Sequence, residues 1–156
     1  VFLAVLLGRL LPAPRPPQRE AIAAFATAVV LSLLAQALKL LLRSPRPVAG
    51  DGVTVEAQFG SYGFPSGHVY ADVLLLGIVA VYAPVWLPRR LILPFRLLVV
   101  AIIVLAAPAR IYVGAHWPSD TLGGYLWGAA ALQFAIQMGR RARSRSAAQS
   151  VPGGDF

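Results

Sequence analysis

EAIAAFATAVVLSLLAQALKLLLRSPRP, residues 20–47, decides the fold. Between Glu20 and Lys39 the stretch carries no charge. About 20 apolar residues suffice to cross a hydrocarbon core about 30 Å thick as a helix. Backbone groups in lipid must be bonded within the segment, so a helix is the form this run takes. Its polar residues are ordered. Ser32, Gln36 and Lys39 stand at i, i+4 and i+7, and the stripe continues to Arg43. Such a stripe faces the interior of a bundle rather than lipid, with Ser32 and Gln36 read as helix–helix glue.

Three more apolar runs follow, near residues 67–87, 91–108 and 119–138, and a short one, residues 1–11, precedes it. The 156-residue chain is 58% hydrophobic and only 13% charged, against about 25% charged in an ordinary soluble domain. The fold class is therefore all-α, a polytopic transmembrane helix bundle. The runs at 20–42, 67–87 and 119–138 are long enough to span. The run at 91–108 is weaker, because Pro94 and Arg96 lie near its start and Arg96 is expected to snorkel to the interface. Gly77, Gly123, Gly124 and Gly128 suit close helix packing. Residues 1–139 read as one transmembrane domain and residues 140–156 as a basic, disordered cytoplasmic tail. The chain does not begin with Met and residues 1–11 are too short to span, so the domain is expected to be truncated at its N-terminus. Cysteine is absent, which excludes disulfides and thiolate metal sites.

The net charge of +8 resembles a nucleic-acid signal, but its placement speaks for a membrane and against nucleic acid. Arg9, Arg15, Arg19, Arg89, Arg90, Arg96, Arg140, Arg141, Arg143 and Arg145 fall on one side of alternating crossings. Only Lys39, Arg43, Arg46 and Arg110 fall on the other. Positive charge collects on the cytoplasmic side, so the 43–66 and 109–118 connections face outward and the C-terminus is cytoplasmic. The 43–66 connection exceeds the about 12–15 residues beyond which a loop is usually functional or disordered.

Three clusters share that outward side: KLLLRSPRP at 39–47, PSGH at 65–68 and RIYVGAHWPSD at 110–120. Both histidines of the chain are among them. Lysine, arginines and histidines converging at one face suit a phosphate group, since guanidinium forks match phosphate oxygens. Ser66 and the amide of Gly67, at a helix start, form an anion site. Pro118 suits the first turn of a helix, placing His116 just before it and Asp120 within it. An aspartate there fixes one imidazole nitrogen and leaves the other as a nucleophile, or simply complements the helix dipole. Arg43 reads as a diphosphate contact or a headgroup-facing cation, and Tyr112 and Trp117 as interfacial anchors. Asp72, one turn after His68, reads as a partner of that imidazole or as a buried polar contact. No carboxylate cluster offers a metal site.

In order and spacing, the three clusters resemble the type 2 phosphatidic acid phosphatase superfamily, whose pattern is K-x6-RP, PSGH and SR-x5-H-x3-D. Lys39 and Arg46-Pro47 match the first, Pro65–His68 the second, and Arg110, His116 and Asp120 the third. One position departs: Ala109 stands where the family has serine. Membrane members of that family typically have six core helices, so the resemblance implies that this chain lacks the first. It also implies a metal- and cofactor-independent phosphatase. His116 would be the nucleophile, Asp120 its orienting partner and His68 the acid and base. Lys39, Arg46, Ser66, Gly67 and Arg110 would bind phosphate. The substrate would be a lipid phosphate or diphosphate, such as a polyprenyl diphosphate, phosphatidate or phosphatidylglycerol phosphate, reached at the extracytoplasmic face of the cell membrane. The alternatives are a non-catalytic anion-binding or transport protein, or a relative of the vanadate haloperoxidases, which are soluble.

Overall fold

The computed structural model describes residues 16–49, 55 and 62–149, and among these no strand occurs. Among the described residues four long helices pack together: α1, Gln18–Leu42; α2, Gly67–Val85; α3, Arg89–Tyr112; and α4, Pro118–Gln149. The short run at 1–11 lies outside the described residues, as does most of 50–61.

Proline sets the helix limits. Pro17 stands extended before α1 and Pro88 before α3. At its other end α1 stops where Arg43 turns left-handed, with φ 45° and ψ 33°, and donates its N–H to the Lys39 carbonyl at 3.1 Å. Pro45 follows two residues later and bars further helix, because the residue before a proline avoids the helical region. Helix α2 is not uniform. An α turn at Gly67–Ala71 passes into a π turn at Asp72–Leu76, an α segment at Gly77–Tyr82 and a 3₁₀ turn at Ala83–Val85 containing Pro84.

Small residues determine the packing. Ala21, Ala24 and Ala28 of α1 meet Tyr70, Leu74, Ile78 and Tyr82 of α2 and Leu132, Ala135 and Ile136 of α4 in one core. A second core joins Val73 and Ala80 to Val99 and Ile103 of α3. Helix α4 lies against the other three, and its glycines allow it. A Cβ on Gly128 would stand 2.8 Å from the Val73 Cβ. One on Gly139 would stand 2.6 Å from the Glu20 carbonyl. The outer faces of α1 and α3 are the reverse: Leu33, Leu34, Leu40 and Leu41, then Leu97, Leu98, Val104 and Leu105, are exposed. Such continuous apolar surface is what lipid covers.

Three expectations need correction. Among the described residues, the helices both long and apolar enough to cross a membrane are α1, α2 and α3; the run at 119–138 has the length but not the apolarity, and the run at 91–108, read as weaker, has both. Helix α4 can be less apolar because so much of it touches other helices rather than lipid. Arg96 does not snorkel. It is 5% exposed and donates from Nε to the Ala80 carbonyl at 3.0 Å and from Nη2 to Val81 at 3.4 Å. Pro84 has no N–H for the Ala80 carbonyl, four residues back, so the guanidinium fills the vacancy. Finally, the boundary at 139/140 is no helix end: α4 continues to Gln149. After Gly139 the sequence offers arginine and alanine, good helix formers, and no proline until Pro152. Arg143 on this extension pairs with buried Glu20 at 3.6 Å, and Glu20 accepts from the Tyr82 hydroxyl at 3.1 Å. Residues 150–156 lie outside the described residues.

The Gly139 contact is testable. Gly139→Ala forces a methyl group into backbone and should cost about 1–3 kcal/mol. Thermal unfolding in detergent would register this as a lower midpoint; an unchanged midpoint contradicts the packing described.

Candidate active site

The C-terminal ends of α1 and α3 and the N-terminal ends of α2 and α4 meet at one end of the bundle, and the three sequence clusters meet with them. Three hydrogen bonds lace the clusters together. The Gly63 amide donates to the Ser44 carbonyl at 2.8 Å, joining the second to the first. The Ser66 amide donates to the Asp120 carbonyl at 2.8 Å, joining the second to the third. Arg46 donates from Nη1 to the Ala115 carbonyl, joining the first to the third.

His116 forms the floor of the site and is 2% exposed. Its Nδ1 lies 3.2 Å from Asp120 Oδ2, and the same oxygen accepts the Trp117 amide at 3.1 Å. An ionised carboxylate only accepts, so the Nδ1–H donates and Nε2 keeps its lone pair. That lone pair faces Arg46 Nη1 at 3.3 Å. Burial, and then the Arg46 charge, push the imidazole down to about 4, outweighing Asp120, which acts the other way. Arg46 is itself lowered by burial.

Lysine 39 is buried at the end of α1, 8% exposed, within electrostatic reach of Arg46 and Asp120. Its ammonium lies beside Gly67, 3.6 Å from where a Cβ would stand, with the Gln36 amide nitrogen at 3.7 Å. Gly67 opens α2 with Ser66 as its N-cap residue. Ser66 is fully buried, and its hydroxyl has no hydrogen-bond partner among the described residues. A buried hydroxyl left unpaired costs about 1–3 kcal/mol, so the position suits a ligand oxygen. Arg110, in the last turn of α3, lies within electrostatic reach of Arg46, His68 and Asp72. His68 is exposed where His116 is buried, which places one ring at the mouth and one at the floor.

Asp72 is half-buried one turn below His68, within reach of its charge and that of Arg110. Arg43 is not brought to the cluster. It is exposed and donates from Nε back to the Leu40 carbonyl at 3.3 Å, capping α1. Ala109 is exposed, and Tyr112 is 81% exposed. Sequence reasoning missed Gly63. A Cβ there would stand 2.8 Å from Asp120 Oδ2 and 3.0 Å from the Pro45 carbonyl, so only glycine leaves the carboxylate its place. Its one signal, a glycine just before the FPSG stretch, is common to many loops.

Among the described residues, an all-helical bundle with three membrane-length helices gathers cations around a buried histidine at one end. The family model described as PAP2 superfamily matches residues 20–144. The chain belongs to that superfamily, whose members are generally phosphatases acting on phosphate esters. No curated protein and no solved structure matches the chain.

Histidine 116 should stay neutral down to about pH 4, well below the usual value of about 6.5. An NMR titration of the imidazole nitrogens checks this. Arg46→Gln should move the midpoint up and Asp120→Asn further down; a midpoint near 6.5 in the native protein contradicts the burial described. Because the folded value is depressed, folding stability from this group is present above about pH 6.5 and lost as pH falls toward 4.

Proposed function

We propose that this protein is an integral membrane phosphatase that hydrolyses a lipid phosphate or diphosphate through a phosphohistidine. The observation that carries the reading is the state of His116: Nδ1 engaged by Asp120 at 3.2 Å, Nε2 unprotonated and facing Arg46.

The steps follow from that geometry. Lys39, Arg46 and Arg110 draw in the anionic headgroup, and Ser66 and the Gly67 amide bind further phosphoryl oxygens. Arg46 exchanges the ring nitrogen for a phosphoryl oxygen, which frees the Nε2 lone pair in front of phosphorus. Nε2 attacks, the N–P bond forms, and the bond to the leaving oxygen breaks in line. Asp120 stabilises the imidazolium this creates. His68, at the mouth, gives its proton to the leaving oxygen. The neutral His68 then takes a proton from water. The water oxygen attacks phosphorus, the N–P bond breaks, and inorganic phosphate leaves. Cationic side chains do here the charge neutralisation that metal ions perform in other phosphoryl-transfer sites.

A site at the end of membrane-length helices favours a substrate whose tail stays in lipid. Arginine placement supports an extracytoplasmic site at the cell membrane, with the C-terminus in the cytoplasm. Polyprenyl diphosphate, phosphatidate and phosphatidylglycerol phosphate all have the required headgroup and tail.

Phosphate release from a panel of these three lipids, by the full-length protein in detergent micelles, tests the reading and chooses the substrate. His116→Ala should abolish release while the protein remains folded. His68→Ala should keep phosphoenzyme formation only with leaving groups that need no proton, and chelator should leave turnover unchanged. Phosphate binding with no release from any of the lipids would overturn the reading in favour of a non-catalytic anion site.

A further inference from the structure

Helix α3 carries a proline near each end, Pro94 and Pro108. Pro108 lies two residues before Arg110 and four after Val104. Its ring removes the N–H that the Val104 carbonyl would accept. Val104 is 56% exposed on a face that lipid covers, and no water would replace the bond there. A carbonyl left unpaired in that setting is costly, and the turn beyond it would be free to swing.

The turn beyond it carries the site. Arg110 lies in the last turn of α3, and its carbonyl accepts the Ala115 amide at 3.0 Å. The Gly114 amide donates to Ile111 at 3.0 Å and the Val113 amide to Ala109 at 3.3 Å. Residues 109–116, including His116, therefore hang from the segment that Pro108 weakens.

Tyr125, on α4, fills the gap. Its hydroxyl donates to the Ile103 carbonyl at 2.8 Å, shares the proton with the Val104 carbonyl at 3.1 Å, and accepts the Ala107 amide at 3.4 Å. One hydroxyl thus inserts into the rung between residues 103 and 107 and covers the carbonyl Pro108 leaves open. The ring packs against the core of Val73, Ala80, Val99 and Ile103, so the hydroxyl is delivered by a fixed lever. Tyr125 also stands five residues after Asp120 on the same helix. The contact therefore references the Arg110 turn directly to the helix that holds Asp120, and through it to His116.

We propose that the Tyr125 hydroxyl is a positioning group for Arg110, compensating Pro108 so that the guanidinium holds its place against the phosphoryl group on His116. The proposal rests on the phosphatase reading. It predicts a specific coupling, because the hydroxyl is needed only while residue 108 lacks an amide.

The test is a double-mutant cycle on the full chain, with Tyr125→Phe and Pro108→Ala. Tyr125→Phe keeps the ring and removes the hydroxyl. It should lower kcat on the lipid phosphate about tenfold and weaken inhibition by orthovanadate similarly, with KM changed less than about twofold. Pro108→Ala alone should stay within about twofold of native, and in its background Tyr125→Phe should cost less than about threefold. Hydrogen exchange reads the staple without activity. Amide protection around Ala107–Tyr112 should fall in Tyr125→Phe and return in the double variant. Exchange unaltered by Tyr125→Phe overturns the staple. Altered exchange with unaltered kcat overturns its positioning role, as does an equal loss of kcat in both backgrounds. Absence of turnover in the native protein would instead count against the phosphatase reading, leaving the exchange result to judge the staple.

Discussion

Asp120 is the residue on which the site depends, because it binds in two directions at once. Its carbonyl accepts the Ser66 amide at 2.8 Å, and its carboxylate accepts His116 Nδ1 at 3.2 Å and the Trp117 amide at 3.1 Å. Removing the carboxylate would leave a buried imidazole N–H and a backbone amide unpaired together. The close fit of Gly63 against the same oxygen follows from this. A side chain there would displace the one acceptor that sets the tautomer of His116. So the architecture of the site, in which a helix start, a loop and a second helix start meet, is fixed by main-chain bonds that end on one aspartate.

The other recurring constraint is the scarcity of donors inside a membrane. Pro84 and Pro108 each leave a carbonyl four residues back without its helical partner, Ala80 and Val104. In water such a carbonyl finds solvent at little cost. Here each is met by a side chain from a neighbouring helix: Arg96 Nε at 3.0 Å for Ala80 and Tyr125 Oη at 3.1 Å for Val104. The prolines therefore couple helices instead of loosening them. One such junction ties α2 to α3 and the other ties α3 to α4.

Much of this was legible in the sequence, and the reason is periodicity and spacing. The apolar run of α1 and the K-x6-RP that closes it fix a membrane helix with cations at its end. The separation of His116 and Asp120 is short enough for local geometry to bring them together, at 3.2 Å, while Arg110 lies within reach of Arg46, His68 and Asp72. Arg96 was misread because snorkelling assumes the nearest polar medium is the interface, whereas the nearest acceptor was a carbonyl made available by Pro84. That pairing depends on two residues in different helices, and no single segment displays it. Gly63 and Tyr125 escaped for the same reason. The length of the 119–138 run suits a span, but α4 runs past 139 because its partners, Glu20 among them, lie far off in sequence. Arg43 fell on the helical stripe of Lys39 by arithmetic, but the helix ended first and its left-handed backbone turned it away.

The electrostatics of the site fit the phosphate ligand proposed for it. Lys39, Arg46 and Arg110 lie within reach of one another's charge or of a common histidine, and Asp120 is the carboxylate at their centre. Burial lowers Arg46, and with the Arg46 charge it drives His116 down to about 4. Both shifts are led by burial, so the excess of cations stands in a setting that solvates charge poorly. Burial and the Arg46 charge both disfavour a proton on His116, so the ring is neutral at neutral pH, as the proposed nucleophile must be. A dianionic phosphoryl group relieves the excess and supplies acceptors for the Ser66 hydroxyl, which is buried and unpaired among the described residues. The relief grows as the phosphoryl group nears the ring and the imidazolium forms, since Asp120 then balances a charge that the cations had excluded. In the proposed reaction the same arrangement favours the state in which phosphorus is bonded to His116.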